Sequence, residues 1–148
     1  MFRLPRVYAD EMVAHARDEA PNECCGILAG ADGRVTQLYR ARNAEASPVK
    51  YLIDSADLYR AYTEAEAKGW EFLAFYHSHT FSEAYPSPTD VRLATWPDSL
   101  YILVPLQNRD DPVIRAFYIV DGQITEEELI LENPEPPTGN PLLPALPL

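Results

Sequence analysis

A nearly unbroken apolar run, Trp70 to Tyr76, leads directly into His77-Ser78-His79. A strand that is apolar on both sides must be buried on both faces, which demands a sheet with further layers above and below it. Successive strand side chains point to opposite faces, so His77 and His79 leave the same face at the strand's end. Two imidazoles converging from one face make half of a tetrahedral metal site. Farther on, Ser87-Pro88-Thr89-Asp90 has the form of a capping box with proline at the first helical position, so a short helix is expected to start near Ser87. That helix can offer the Asp90 carboxylate as a third ligand. Two histidines and one acid leave a fourth position open to water, as catalytic zinc sites do and structural ones do not. The plainer readings are histidines exposed at a strand end and a cap that serves only its helix. Two of the chain's three histidines fall here, beside a matching acid.

The remaining segments supply the layers. Tyr8 to Ala20 reads as a helix, with Asp10 near its start, Pro21 ending it, and Met12, Val13 and Ala16 as its apolar stripe. His15 lies off that stripe and is expected at the surface. Cys24 to Gly30, a turn at Asp32-Gly33 and Val35 to Arg40 predict a hairpin, and Tyr51 to Ile53 a short third strand. Ser55 is the expected N-cap of a helix running to Lys68, with Gly69 at its C-terminal end. Leu58, Tyr62 and Ala65 share one face of that helix, and Tyr59 and Tyr62 read as packing residues. Leu100 to Pro105 predicts another strand. Val113 to Val120 and Ile124 to Leu131 form a second hairpin around Asp121-Gly122. This irregular alternation predicts an α/β (α+β) domain over residues 1–132, with a single mixed sheet flanked by helices. Residues 133–148 hold six of the 14 prolines and read as an extended tail, a candidate element of a homodimer contact.

Composition removes several function classes. A net charge of −11 argues against nucleic acid as a partner and against an anionic membrane surface. No apolar run approaches the roughly 20 residues needed to span a bilayer. Met1 to Asp10 lacks the apolar core of a signal peptide. Cys24 and Cys25 are adjacent, so no disulfide framework is expected, and both read as small apolar residues on a buried strand. These features point to a reducing, cytoplasmic setting.

His77-Ser78-His79, the seven residues Thr80 to Pro86, then Ser87-Pro88-Thr89-Asp90 resemble the signature of the JAMM (MPN-plus) zinc metalloproteases. That family also carries an upstream glutamate, which Glu23 matches by context in Pro21-Asn22-Glu23-Cys24-Cys25-Gly26. Thr80 stands where members often have proline. The resemblance runs from about Tyr8 to Leu131 and is closest to the compact prokaryotic branch. It implies the JAMM/MPN, cytidine-deaminase-like fold and one Zn2+ per chain held by His77, His79 and Asp90. It implies Glu23 as general base and Ser87 as donor to the oxyanion. The implied substrate is the tail of a ubiquitin-like or sulfur-carrier protein, with release of cysteine for cysteine biosynthesis as the preferred reaction. A deubiquitinase-like isopeptidase and a non-catalytic MPN-type scaffold are the alternatives, although scaffold members lack the ligands present here. A zinc nucleobase deaminase resembles His-x-Glu followed by Pro-Cys-x-x-Cys, and neither element occurs.

Overall fold

The structure, a computed structural model, describes residues 1–107 and 110–134. The tail expected over 133–148 therefore lies outside the described residues, apart from Asn133 and Pro134. In chain order the elements are β1 (Phe2–Pro5), α1 (Arg6–Glu19), β2 (Cys25–Ala31), β3 (Arg34–Ala41), α2 (Ser55–Lys68) and β4 (Glu71–His79). There follow α3 (Pro88–Leu93), β5 (Leu100–Pro105), β6 (Arg115–Val120), β7 (Gln123–Glu127) and β8 (Leu129–Glu132).

Six strands form one sheet in the order β3-β2-β4-β5-β6-β7. Only the β4–β5 pair is parallel; the other neighbours are antiparallel, so the sheet is mixed. The apolar run predicted to be a doubly covered strand is β4, at the third position of this order, and it continues through both histidines. The β6–β7 hairpin turns on Asp121 and Gly122, at φ of 50° and 79°. Two successive left-handed residues define the type I′ turn that matches strand twist, and glycine takes the second position without steric cost.

Helices cover both faces. Ala9, Met12 and Ala16 of α1 bury against Leu28, Ala74, Tyr76, Ile102 and Val104 on one side. Ala61 of α2 packs with Ile27, Phe75 and Tyr101 on the other. Truncating a residue such as Ile102 to alanine is expected to cost about 2–5 kcal/mol, because its site is fully buried. Gly26 of β2 lets the ring of Tyr76 lie flat across the neighbouring strand: a Cβ there would sit 2.3 Å from that ring.

Local expectations differ from the structure in a few places. The cap of α2 is Asp54, whose carboxylate accepts from the Asp57 amide at 3.1 Å, and Ser55 is the first helical residue. Gly69 ends the helix in the left-handed conformation, at φ 72°. Tyr51 to Ile53 makes only an isolated bridge, Asn43 to Ile53. The expected strand Ile124 to Leu131 divides at Glu128: β7 stays with β6, and β8 leaves to pair in parallel with β1. Nothing local announces β1, whose pairing partner lies about 127 positions away in the chain. Tyr59 is 71% exposed, so it does not pack; Tyr62 meets Phe72 edge-on while staying half exposed.

His15 is also not a surface residue. It is 4% exposed, and its Nδ1 lies 2.7 Å from the Tyr76 hydroxyl. Met12, His15 and Ala16 stand at i, i+3 and i+4, so His15 shares the helix's inward face. Burial, reinforced by the Arg40 charge, lowers its pKa to about 4 against the pull of Asp18 and Glu11, so the ring is neutral and accepts the tyrosine proton.

Candidate metal centre

Both histidines project from the C-terminal end of β4. His77 is the last β4 residue in register with β2, opposite Cys25, whereas the β5 side of the ladder continues to His79 opposite Pro105. Beyond that point Ser78 holds the two strands together. Its Oγ accepts from the Cys24 amide at 2.8 Å, and its own amide donates to the Cys24 carbonyl at 3.2 Å. Because strand side chains alternate, Ser78 serves the opposite face and leaves the histidines' face clear.

Asp90 arrives from α3. Ser87 caps that helix with the complete reciprocal box: Ser87 Oγ accepts from the Asp90 amide at 3.0 Å, and the Ser87 amide donates to Asp90 Oδ2 at 2.9 Å. Such a cap is worth about 1 kcal/mol. Here it also fixes one carboxylate oxygen against the histidines.

The three side chains meet. His77 Nε2 and His79 Nε2 are 3.2 Å apart, and Asp90 Oδ2 lies 3.2 Å from the first and 3.0 Å from the second. Ligand bonds of about 2.0–2.1 Å at tetrahedral angles place neighbouring donor atoms about 3.3–3.4 Å apart, so this near-equilateral triangle is the right size for zinc. Protons alone satisfy such a cluster poorly, since one proton bridges only one edge of the triangle. A divalent cation of the zinc type suits all three atoms, and this is the group of residues that could hold one.

The electrostatics are those of a buried, strongly coupled set. Burial disfavours the Asp90 charge, yet hydrogen bonds from His77 and His79 hold its carboxyl well below the usual carboxylate range. Burial lowers the pKa of His77, partly opposed by Asp90. Burial also works against a charged His79, but Asp90 and the Glu83 carbonyl outweigh it and raise its pKa. That carbonyl lies 2.7 Å from His79 Nδ1, so Nδ1 donates and Nε2 is directed to the cluster.

Glu23, just before β2, belongs to the same site. The residue is 4% exposed, and its carboxyl interacts electrostatically with His79 and Asp90. Burial raises its pKa to about 8, His79 opposes the rise and Asp90 adds to it. Its Oε1 is buried and makes no hydrogen bond among the described residues. A buried carboxyl group with an unpartnered oxygen beside the cluster is suited to proton transfer. The backbone of Glu23 is anchored at both ends, since its amide donates to the Ser47 carbonyl at 2.9 Å and its carbonyl accepts from Asn43 Nδ2 at 3.0 Å.

The structure thus brings together all five expected residues: Glu23, His77, His79, Ser87 and Asp90. It adds two that sequence reasoning passed over. Tyr51 stacks on the His77 ring, with centroids 4.2 Å apart and planes 22° apart. Asn43 knits the connection between β3 and α2. Both lie in a stretch without periodicity, where pattern gives no signal. Thr80, at the position where proline is frequent, donates its hydroxyl to the Pro48 carbonyl at 3.1 Å and so ties the same connection to the end of β4. Cys24 and Cys25 are buried, and burial drives both thiol pKa values up, to about 12 for Cys24, which suits packing and not nucleophilic attack.

A mixed sheet with two histidines at a strand end and an acid on the next helix presents a group of side chains that could hold a metal ion, and comparison with known proteins gives the family. Residues 5–120 match the family described as prokaryotic homologs of the JAB domain. The CysO-cysteine peptidase of Mycobacterium tuberculosis is 45% identical over 118 residues, covering 78% of this chain and 81% of that one. A probable TtuB-protein conjugate cleaving protease of Thermus thermophilus is 36% identical over 121 residues, 81% of this chain and 77% of its own. A Desulfitobacterium hafniense protein of known solution structure superposes with a TM-score of 0.82 at 36% identity, over 90% of this chain and 94% of that one. The chain belongs to the prokaryotic JAB family, the JAMM/MPN-plus branch, and is a hydrolase. Among the described residues no helix is long and apolar enough to cross a membrane.

Proposed function

We propose that the chain is a zinc-dependent peptidase, with one ion per chain, that hydrolyses an amide bond at the C-terminal tail of a sulfur-carrier or ubiquitin-like protein, and that its reaction is release of cysteine from a sulfur carrier. The observation that carries the reading is the triangle of His77, His79 and Asp90 donor atoms at 3.0–3.2 Å with the buried Glu23 beside it. The 45% identity to a peptidase named for a CysO-cysteine substrate supports the choice of substrate. Exposed Val49, Leu52, Phe81, Tyr85 and Leu93, on the segments flanking the site, offer apolar area to a protein substrate.

His77, His79 and Asp90 would hold the ion. When bound, zinc supplies a Lewis acid that brings the pKa of water from about 16 to near 7. Glu23 takes the proton of the attacking water and passes it to the departing amine as the C–N bond breaks, so the same carboxyl serves as base and then as acid. The Ser87 Oγ accepts from the Asp90 amide, and its own O–H is uncommitted among the described residues. That proton is available to the oxyanion forming on the attacked carbonyl, a contribution of about 3–4 kcal/mol for one such donor.

Incubating zinc-loaded protein with a sulfur carrier bearing C-terminal cysteine, and separately with an isopeptide-linked conjugate, tests the proposal. Stoichiometric free cysteine from the first, abolished by chelation, is the expected result. Cleavage of the conjugate alone would move the assignment to an isopeptidase, a reading the Thermus relative favours. Inactivity towards both with zinc bound would overturn it.

A further inference from the structure

A histidine that binds a metal through one ring nitrogen almost always donates the other N–H to a fixed acceptor, which sets tautomer and ring orientation. His79 follows this rule, with Nδ1 on the Glu83 carbonyl at 2.7 Å. His77 does not. Its ring is 1% exposed, and Nδ1 is buried without a hydrogen-bond partner among the described residues. What lies against it is the face of Tyr51, 4.2 Å away and 22° from parallel.

Tyr51 is itself held on both sides. Asn43 Nδ2 donates to the Lys50 carbonyl at 3.0 Å, and Asn43 Oδ1 accepts from the Leu52 amide at 3.0 Å, so one side chain grips the residues before and after Tyr51. The Ala44 amide adds a bond to the Leu52 carbonyl at 2.7 Å. Asn43 Nδ2 also donates to the Glu23 carbonyl at 3.0 Å, and Oδ1 accepts from the Glu45 amide at 3.0 Å. Two donors and two lone pairs are all an asparagine amide offers, and here every one is engaged. The connection is a braced wall, and the flat side chain it presents to the site lies on a candidate ligand.

We propose that Tyr51 is the positioning residue of His77: its stacked ring, braced by Asn43, fixes the imidazole plane so that Nε2 faces the cluster, in place of the hydrogen bond that orients His79. The inference rests on the metal-centre reading of His77. It requires a flat ring at position 51 and makes no use of the tyrosine hydroxyl.

The test is zinc affinity, measured by chelator competition on metal-free protein shown by circular dichroism to be folded. Tyr51→Phe keeps the ring and should retain affinity within about twofold, whereas Tyr51→Leu should lose about 10- to 100-fold, the usual effect of removing a ligand's supporting group. The visible spectrum of the cobalt-substituted protein should change in the leucine variant and not in the phenylalanine variant, a signature that space-filling alone does not give. Asn43→Asp keeps both acceptor bonds but sets oxygen against the Lys50 and Glu23 carbonyls, so it should loosen Tyr51 and weaken zinc in the same sense; this variant carries the test if Tyr51→Leu does not fold. Parental affinity and cobalt spectrum in folded Tyr51→Leu, or in Asn43→Asp if the leucine variant does not fold, would overturn the proposal. His77→Gln separates the two readings, since parental zinc affinity there would overturn the metal centre itself.

Discussion

The two faces of β4 carry opposite solutions to the same problem, a buried histidine. On the α1 face His15 meets the Tyr76 hydroxyl at 2.7 Å inside a packed apolar cluster. One donor and one acceptor pair off, and the polar group is satisfied by the protein alone. On the other face, one residue along the strand, His77 and His79 converge with Asp90, while His77 Nδ1 and Glu23 Oε1 find no partner among the described residues. Burial lowers the pKa of His15 on one face and of His77 on the other, in each case against the pull of nearby acids, so burial does not distinguish them. Satisfaction does. Buried polar groups are normally paired, and a cluster whose donor atoms face one another around a common point is organised for something other than folding.

The sharpest way to break this comparison is to remove a ligand. Asp90→Ala is expected to lose zinc and, with it, peptidase activity down to background, measured by elemental analysis and by cysteine release. Retention of both would make the triangle as structural as His15. Next, Glu23→Gln should keep a full complement of zinc while kcat falls by about 10²- to 10⁴-fold, because only proton transfer is removed. Parental turnover would show that the base lies elsewhere.

On the opposite face the expected pattern reverses. His15→Leu leaves the Tyr76 hydroxyl buried and unpaired, at a cost of about 1–3 kcal/mol in denaturant unfolding, with zinc affinity and kcat unchanged at low temperature. The same residue sets a pH dependence. Its folded pKa of about 4 lies below the unfolded value of 6.5, so the unfolded chain binds the additional proton between these limits. Its contribution is complete above about pH 6.5 and is lost as pH falls towards 4, by up to about 3 kcal/mol in all. Subtracting the stability profile of His15→Gln from that of the parent should isolate this slope; a flat difference would place the ring outside the core. The smallest effect belongs to Tyr59→Ser on exposed α2 surface, expected within about 0.5 kcal/mol of the parent in stability.

Much of the site was legible because its parts are local. The spacing of His77 and His79 on an apolar strand and the Ser87–Asp90 box each follow from backbone geometry over a few residues. Glu23 was legible only by resemblance, since a lone carboxylate before a strand has no pattern of its own. Tyr51 and Asn43 were not legible at all. Their significance depends on which strand end the β3–α2 connection covers, and that is settled by pairing across the sheet. The misreading of His15 has a different cause: its spacing from Met12 and Ala16 was inward, but its polarity hid it until Tyr76 supplied the partner.

By itself, then, the sequence determined what short-range chemistry can determine: the doubly buried strand, the side on which its histidines emerge, and the capped turn that aims Asp90. Tertiary structure alone decided the departure of β8 to join β1, the depth of His15, and the wall that holds Tyr51 against His77. Those features need groups far apart in the chain to be brought within a few ångströms, and no local periodicity encodes a neighbour that only folding supplies.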